Sequence, residues 1–149
     1  MQLDLTNKRA LVCGSSQGIG WASAVALATC GASVTLLARN EEKLQKAVTK
    51  LPVSKGQQHQ FFVADFSNPE ELRRNLANHL SFSKNEYHIL VNNTGGPPGG
   101  PITEASTEAF LAAFNQHLIC NHILATSLLP QMKTANYGRI INIISTSVR

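Results

Sequence analysis

Three glycines in the run Cys13-Gly14-Ser15-Ser16-Gln17-Gly18-Ile19-Gly20 carry the clearest chemistry in the chain. The run follows an apolar, strand-like stretch, Ala10-Leu11-Val12, and opens a helix-like one that begins near Trp21. Glycine at position 14 permits a tight turn off a strand. At 18 it lets backbone N–H groups approach a pyrophosphate, and at 20 it lets the new helix pack closely on the sheet. The amides and dipole at the start of that helix then hold phosphate charge. Gly14, Ser15, Ser16, Gln17, Gly18, Ile19 and Gly20 are therefore the first candidates for binding a dinucleotide. The same residues also satisfy G-x-S-x-G, the nucleophile elbow of hydrolases, with Ser16 as the nucleophile. That reading lacks upstream strands and an oxyanion loop, and it leaves Gly20 without a purpose. A glycine turn with no ligand is the plainest alternative.

A second group stands at the end of the next apolar run, Ser33–Ala38. An acid there would accept hydrogen bonds from a ribose 2′-hydroxyl and repel a 2′-phosphate. The chain has Arg39 instead, whose planar and permanently charged fork suits a phosphate. Lys43 lies one helical turn beyond, and Ser15 offers a further hydroxyl. The expected cofactor is NADP, with NAD disfavoured. His117 and Cys120 share a helix face at the spacing of a metal pair, but no third or fourth ligand follows, so no metal site is expected.

Strand and helix patterns alternate in a way that would position these groups. Strands are expected over 9–12, 33–38, 60–64, 88–92 and 139–144. The first helix runs over 21–30 with Gly31 at its C-terminal cap, and the second over 41–51, capped by Asn40 and stopped by Pro52. The third covers 69–80, with Asn68 as cap and Leu72, Leu76 and Leu80 on one stripe. A long helical stretch follows from Glu108, capped by Thr107, to about Thr134, with a break near Asn115. Between the fourth strand and this helix, Gly95-Gly96-Pro97-Pro98-Gly99-Gly100-Pro101 forms an irregular loop. Strands alternating with helices imply a parallel sheet with helices on both faces.

The chain's 149 residues suffice for one unit, 1–149, with a real core. Hydrophobic residues make up 43% and charged residues 15%, as in ordinary globular proteins. The net charge is +4, but the basic residues are dispersed and not interleaved with aromatics, so nucleic acid is not an expected partner. The three cysteines form no C-x-x-C pair, which favours a reducing compartment. No signal peptide and no apolar run long enough for a bilayer is visible, so a cytoplasmic location is expected and no membrane partner.

The spacing G-x-x-x-G-x-G resembles the cofactor loop of the short-chain dehydrogenase/reductase family, T-G-x-x-x-G-x-G, with Cys13 in place of Thr. Asn92-Asn93-Thr94-Gly95 is similar to that family's N-N-A-G, with Thr94 in place of Ala. Gly138-Arg139-Ile140-Ile141-Asn142-Ile143-Ile144-Ser145 is similar to its fifth strand, which ends in the catalytic Ser. The resemblance implies an α/β, Rossmann-type doubly wound parallel sheet of strand order 3-2-1-4-5. It implies hydride transfer between NADP(H) and a small-molecule carbonyl or alcohol, loosely like the 3-oxoacyl-(acyl carrier protein) reductases. Asp65 would then meet the adenine, and Phe66, Asn92, Asn93 and Gly95 would bind or line the cofactor site. Ser145 would hydrogen-bond the substrate oxygen. His117 falls where the family carries an Asn that orders water in a proton relay; a relay role and a plain core histidine both remain open. Gln17 stands where a second basic residue is frequent.

The family's Y-x-x-x-K pair is absent, since Tyr87 and Tyr137 have Val91 and Ile141 four residues on. The expectation is thus of an incomplete unit whose C-terminal part, with the Tyr and Lys, is missing after Arg149. A dinucleotide-binding module that senses or scaffolds without catalysis is the competing reading. A homodimer or homotetramer is expected, with the stretch 118–132 as its surface.

Overall fold

A computed structural model describes residues 3–83, 86–97 and 99–145. Pro98, in the glycine- and proline-rich loop, and Arg149, at the expected break in the unit, lie outside the described residues.

Five strands form one parallel sheet: β1 (Arg9–Cys13), β2 (Ser33–Ala38), β3 (Gln60–Val63), β4 (Ile89–Asn92) and β5 (Arg139–Asn142). Their order is β3-β2-β1-β4-β5, as expected. The helices α1 (Gly18–Thr29), α2 (Glu41–Val48), α3 (Pro69–Ser83), α4 (Thr107–Phe114) and α5 (Cys120–Thr134) alternate with them. The alternation of side chains along β1 shows why two helical layers are needed. Ala10 and Val12 pack with Ala24 and Ala28 of α1 and Leu44 of α2, whereas Leu11 and Cys13 pack with Leu72 and Leu76 of α3 and Leu124 and Leu128 of α5. Both faces of a parallel sheet are covered in this way. On α1 the buried residues are Gly20, Ala24 and Ala28, a stripe of small residues that draws the helix close to the sheet.

Several boundaries differ from expectation. The first helix begins at Gly18, inside the glycine run, rather than at Trp21, and it ends at Thr29 with Cys30 as its C-cap. The second helix ends at Val48, and Leu51 is buried from a turn instead. The fourth helix is capped by Ser106, whose hydroxyl accepts from Ala109 N at 3.1 Å, not by Thr107. The break expected near Asn115 is a five-residue π-helical segment, Asn115–Ile119, joining α4 to α5 without interruption. A short 3-10 turn, Ile102–Glu104, follows the glycine- and proline-rich loop. The expected caps Asn40 and Asn68 are in place, accepting from Lys43 N at 2.8 Å and Glu71 N at 3.1 Å.

On the α3 side of the sheet a polar network is sealed into the core. Tyr87 is fully buried, and its hydroxyl lies 2.7 Å from Thr35 Oγ1 and 2.6 Å from His79 Nε2. The His79 ring stacks on Phe62 with centroids 4.4 Å apart. Burial, with Arg9 as a lesser cause, holds the His79 ring below the ordinary histidine range; burial, and then Lys8, does the same to His88. Tyr87→Phe leaves Thr35 Oγ1 and His79 Nε2 without their shared partner, so urea denaturation should register a loss of about 1–3 kcal/mol. Because both rings bind a proton less readily folded than unfolded, their contribution is complete above the unfolded value, about pH 6.5. It is lost as the pH falls through the folded values. The urea midpoint should therefore drop on acidification from about pH 7.5 to about pH 5, and less steeply in His79→Gln.

Candidate functional site

The carboxyl ends of the parallel strands open on one cleft of about 790 Å³. It lies where the strand order reverses, between β1 and β4, which is where open α/β sheets bind ligands. Four consecutive crossings feed it. The loop after β1 contributes Gly14, Ser16 and Gln17, and the end of β2 contributes Arg39 and, from α2, Lys43. The end of β3 contributes Asp65 and Phe66, and the end of β4 contributes Asn93, Thr94 and Gly95.

The floor of the cleft is backbone. Gly14 has φ +58°, and a Cβ there would sit 2.6 Å from the carbonyl oxygen of Asn93. Across the gap, the Asn93 side-chain amide donates to the carbonyl oxygens of Cys13 at 3.2 Å and Gly14 at 3.4 Å. A Cβ on Gly20 would run into the carbonyl oxygen of Gly14 and lie 2.7 Å from that of Cys13, so only glycine lets α1 begin this near the strand. Beside Gly18, in contrast, a Cβ would meet nothing within 4 Å. The N-cap residue of α1, Gln17, makes no side-chain capping bond, whereas α2, α3 and α4 have Asn40, Asn68 and Ser106. The first amides of α1 thus lack a side-chain acceptor at the edge of an open cleft, which is the arrangement that receives an anion.

Side chains give the rim its charge. Arg39 is exposed and, among the described residues, makes no hydrogen bond or ion pair. Lys43 Nζ donates to Gln17 Oε1 at 3.3 Å, tying the start of α2 to the glycine loop. Asp65 accepts from Ser67 N at 2.9 Å, so one of its oxygens holds its own turn.

Not every residue named from the sequence reaches the cleft wall. Ser15 is buried, with its hydroxyl accepting from Leu37 N at 2.9 Å, and so it braces the loop on β2 instead of offering a hydroxyl to a phosphate. Asn92 is also buried and donates from Nδ2 to Asn142 Oδ1 at 2.8 Å, linking β4 to β5. Ile19 is 61% exposed at the first turn of α1. Ser16 borders the cleft, but among the described residues no histidine hydrogen-bonds to it, so the hydrolase reading lacks a base.

Beyond β5, Ile143 N donates to Asn92 O at 2.9 Å, which carries the chain along the same pole to the exposed Ser145. His117 lies in the π-helical segment, its Nδ1 2.7 Å from Thr94 Oγ1, while its buried Nε2 has no hydrogen-bond partner among the described residues. The adjacent Gln116 donates from Nε2 to Gly95 O at 3.1 Å. Cys120 donates from Sγ to Phe66 O at 3.3 Å, and burial pushes its thiol up to about 11. His117 and Cys120 therefore each hold a different protein partner. Among the described residues no group of three potential metal ligands gathers. The sequence marks Thr94 only as the substituted residue of Asn92-Asn93-Thr94-Gly95, and Gln116 only through the expected helix break near Asn115; their contacts with His117 and Gly95 come from tertiary placement.

A family profile described as short chain dehydrogenase matches residues 8–149. The chain is 30% identical over 145 residues to an oxidoreductase of Staphylococcus saprophyticus, covering 97% of this chain and 62% of the relative. It is 31% identical over 141 residues to the 3-oxoacyl-[acyl-carrier-protein] reductase of Chlamydia trachomatis, covering 95% and 56%. The crystal structure of L-sorbose reductase from Gluconobacter frateurii, complexed with NADPH and L-sorbose, superposes with a TM-score of 0.85 at 30% identity, covering 95% of this chain and 54% of that one. The chain thus spans about half the length of the curated relatives it matches. Among the described residues no helix is long and apolar enough to cross a membrane.

The close approach at Gly20 generates a direct test. Gly20→Ala should force α1 away from the carbonyls of Cys13 and Gly14 and cost about 1–3 kcal/mol in a denaturation experiment. Ile19→Ala, at the exposed neighbour, should stay within about 0.5 kcal/mol of the parent.

Proposed function

We infer, from the premise that the chain belongs to the short-chain dehydrogenase family, that it binds NADP(H) and serves hydride transfer between that cofactor and a small carbonyl or alcohol. The observation that carries this reading is the cleft wall after β1, where Gly14 and the start of α1, left uncapped by the Gln17 side chain, share one cavity with an arginine that is uncommitted among the described residues. A pyrophosphate fits the first two, because backbone N–H groups at a helix N-terminus need an acceptor and no side chain fills the approach. A ribose 2′-phosphate fits the third. Arg39 and Lys43 are cationic, and the acid that would repel a phosphate does not stand at the end of β2. NADPH in the sorbose reductase complex agrees with this choice.

The bound nicotinamide would supply or accept the hydride. This chain's residues would hold and orient. Asn93 and Gly14 would hold the floor of the cleft, Asp65 would meet the adenine, and Phe66 and Gly95 would line the cofactor site. Ser145, at the end of β5, would hydrogen-bond the substrate oxygen, and His117 would take the place of the family's water-ordering Asn.

Self-association is part of the proposal, with the exposed side chains of the stretch 118–132 and of the preceding α4 as its surface. Ile123, Leu124, Leu128 and Met132 are buried against the sheet. The large apolar side chains left exposed there are Phe110, Leu111 and Phe114 on α4, Leu118 in the π-helical segment and Leu129 on α5.

Calorimetric titration tests the cofactor reading. NADP+ should bind more tightly than NAD+, and Arg39→Asp should reverse the order. One charge-assisted contact of about 1.5–3 kcal/mol corresponds to roughly 10- to 150-fold in affinity. Equal affinities in the parent protein would overturn the preference.

A further inference from the structure

Two residues that depart from the family pattern are in contact. Thr94 stands where N-N-A-G has Ala, His117 stands where the long helix has Asn, and Thr94 Oγ1 lies 2.7 Å from His117 Nδ1. They are 23 residues apart in sequence and are brought together by the π-helical segment packing against the loop after β4. Gln116 clamps the same loop one residue on, through Gly95 O at 3.1 Å.

The direction of this hydrogen bond follows from its surroundings. A bond between a hydroxyl and a neutral imidazole nitrogen needs one donor and one acceptor. Thr94 Oγ1 makes no other hydrogen bond among the described residues, so donation to Nδ1 is the arrangement that places its proton within the protein. Nδ1 then accepts, and Nε2 carries the ring hydrogen. Among the described residues the buried Nε2 has no hydrogen-bond partner. With the opposite tautomer Nε2 would remain unmet as an acceptor, and the Thr94 hydroxyl hydrogen would lose its acceptor as well, which adds a second unmet group.

We propose that Thr94 is a positioning residue for His117: its hydroxyl, 2.7 Å from Nδ1, holds the imidazole as the Nε2–H tautomer. Thr94 and His117 then act as one unit. The consequence for proton relay rests on the reading of His117 given above; the tautomer itself does not.

The test uses the full chain labelled with 15N. Long-range 1H–15N correlation spectra report ring tautomers, and His117→Asn assigns the resonances. The parent should show the Nε2–H form, and Thr94→Ser should retain it. Thr94→Val, close in shape but without the hydroxyl, should move the two ring-nitrogen shifts toward each other as the tautomers mix. Should Thr94→Val fail to fold, Thr94→Ala serves in its place, and the parent spectrum by itself decides the tautomer. An Nδ1–H parent, or ring shifts unchanged on loss of the hydroxyl, would overturn the proposal. The measurement needs no cofactor, so failure to bind NADP(H) would sink the functional reading and leave this one standing, and the reverse holds equally.

Discussion

The carboxyl pole of the sheet depends on one close approach, that of Asn93 to the backbone of Cys13 and Gly14. Strands β1 and β4 are the central pair, and the chain leaves them toward opposite faces. A crevice at such a point is only as well defined as the distance between the two strand ends. The Asn93 amide fixes that distance by donating to two carbonyl oxygens across the gap. The same closeness excludes a Cβ at Gly14, and the start of α1 against those carbonyls excludes one at Gly20. Loop, helix start and cleft floor are thus set by backbone spacing, and the surrounding side chains decorate a shape they do not determine.

The two poles of the sheet are built differently. At the carboxyl pole the contacts are mostly main chain, with glycines at positive φ and amides left for a ligand. Deeper in the sheet, side chains stitch the strands. His59 Nδ1 accepts from Val34 N at 3.0 Å, His88 Nδ1 accepts from Arg9 N at 3.2 Å, and Tyr87 gathers Thr35 and His79. Specificity of packing is concentrated away from the site, so the site can remain open without loosening the fold.

Much of this was legible in the sequence, for identifiable reasons. Positions 14, 18 and 20 are read easily because a residue without a Cβ answers a local steric demand. The order of strands and helices was legible because burial on two faces leaves continuous apolar runs such as Ser33–Ala38. Asn40 and Asn68 declared themselves by caps that operate over three residues. What was not legible depended on tertiary placement. Ser15 and Ser16 are identical side chains in adjacent positions, and only the register of the loop on β2 sends the first inward to Leu37 and the second to the cleft. Ser106 and Thr107 are both good caps, and the choice between them follows from where the 3-10 turn delivers the chain. The π-helical segment has no composition of its own; its extra residue per turn becomes visible only with the partners it presents, His117 to Thr94 and Gln116 to Gly95.

The three thiols are distributed so that one alone is open to reagents. Cys13 and Cys120 are buried and held protonated by that burial, whereas Cys30, at the C-terminal cap of α1, is partly exposed. Helix α1 has 12 residues, a length of about 18 Å, so Cys30 lies a full helix away from the glycine loop while remaining rigidly joined to it. A dye attached there would ride on the same rod whose other end borders the cleft. Among these 149 residues Cys30 thus offers an optical handle on whatever occupies that cleft.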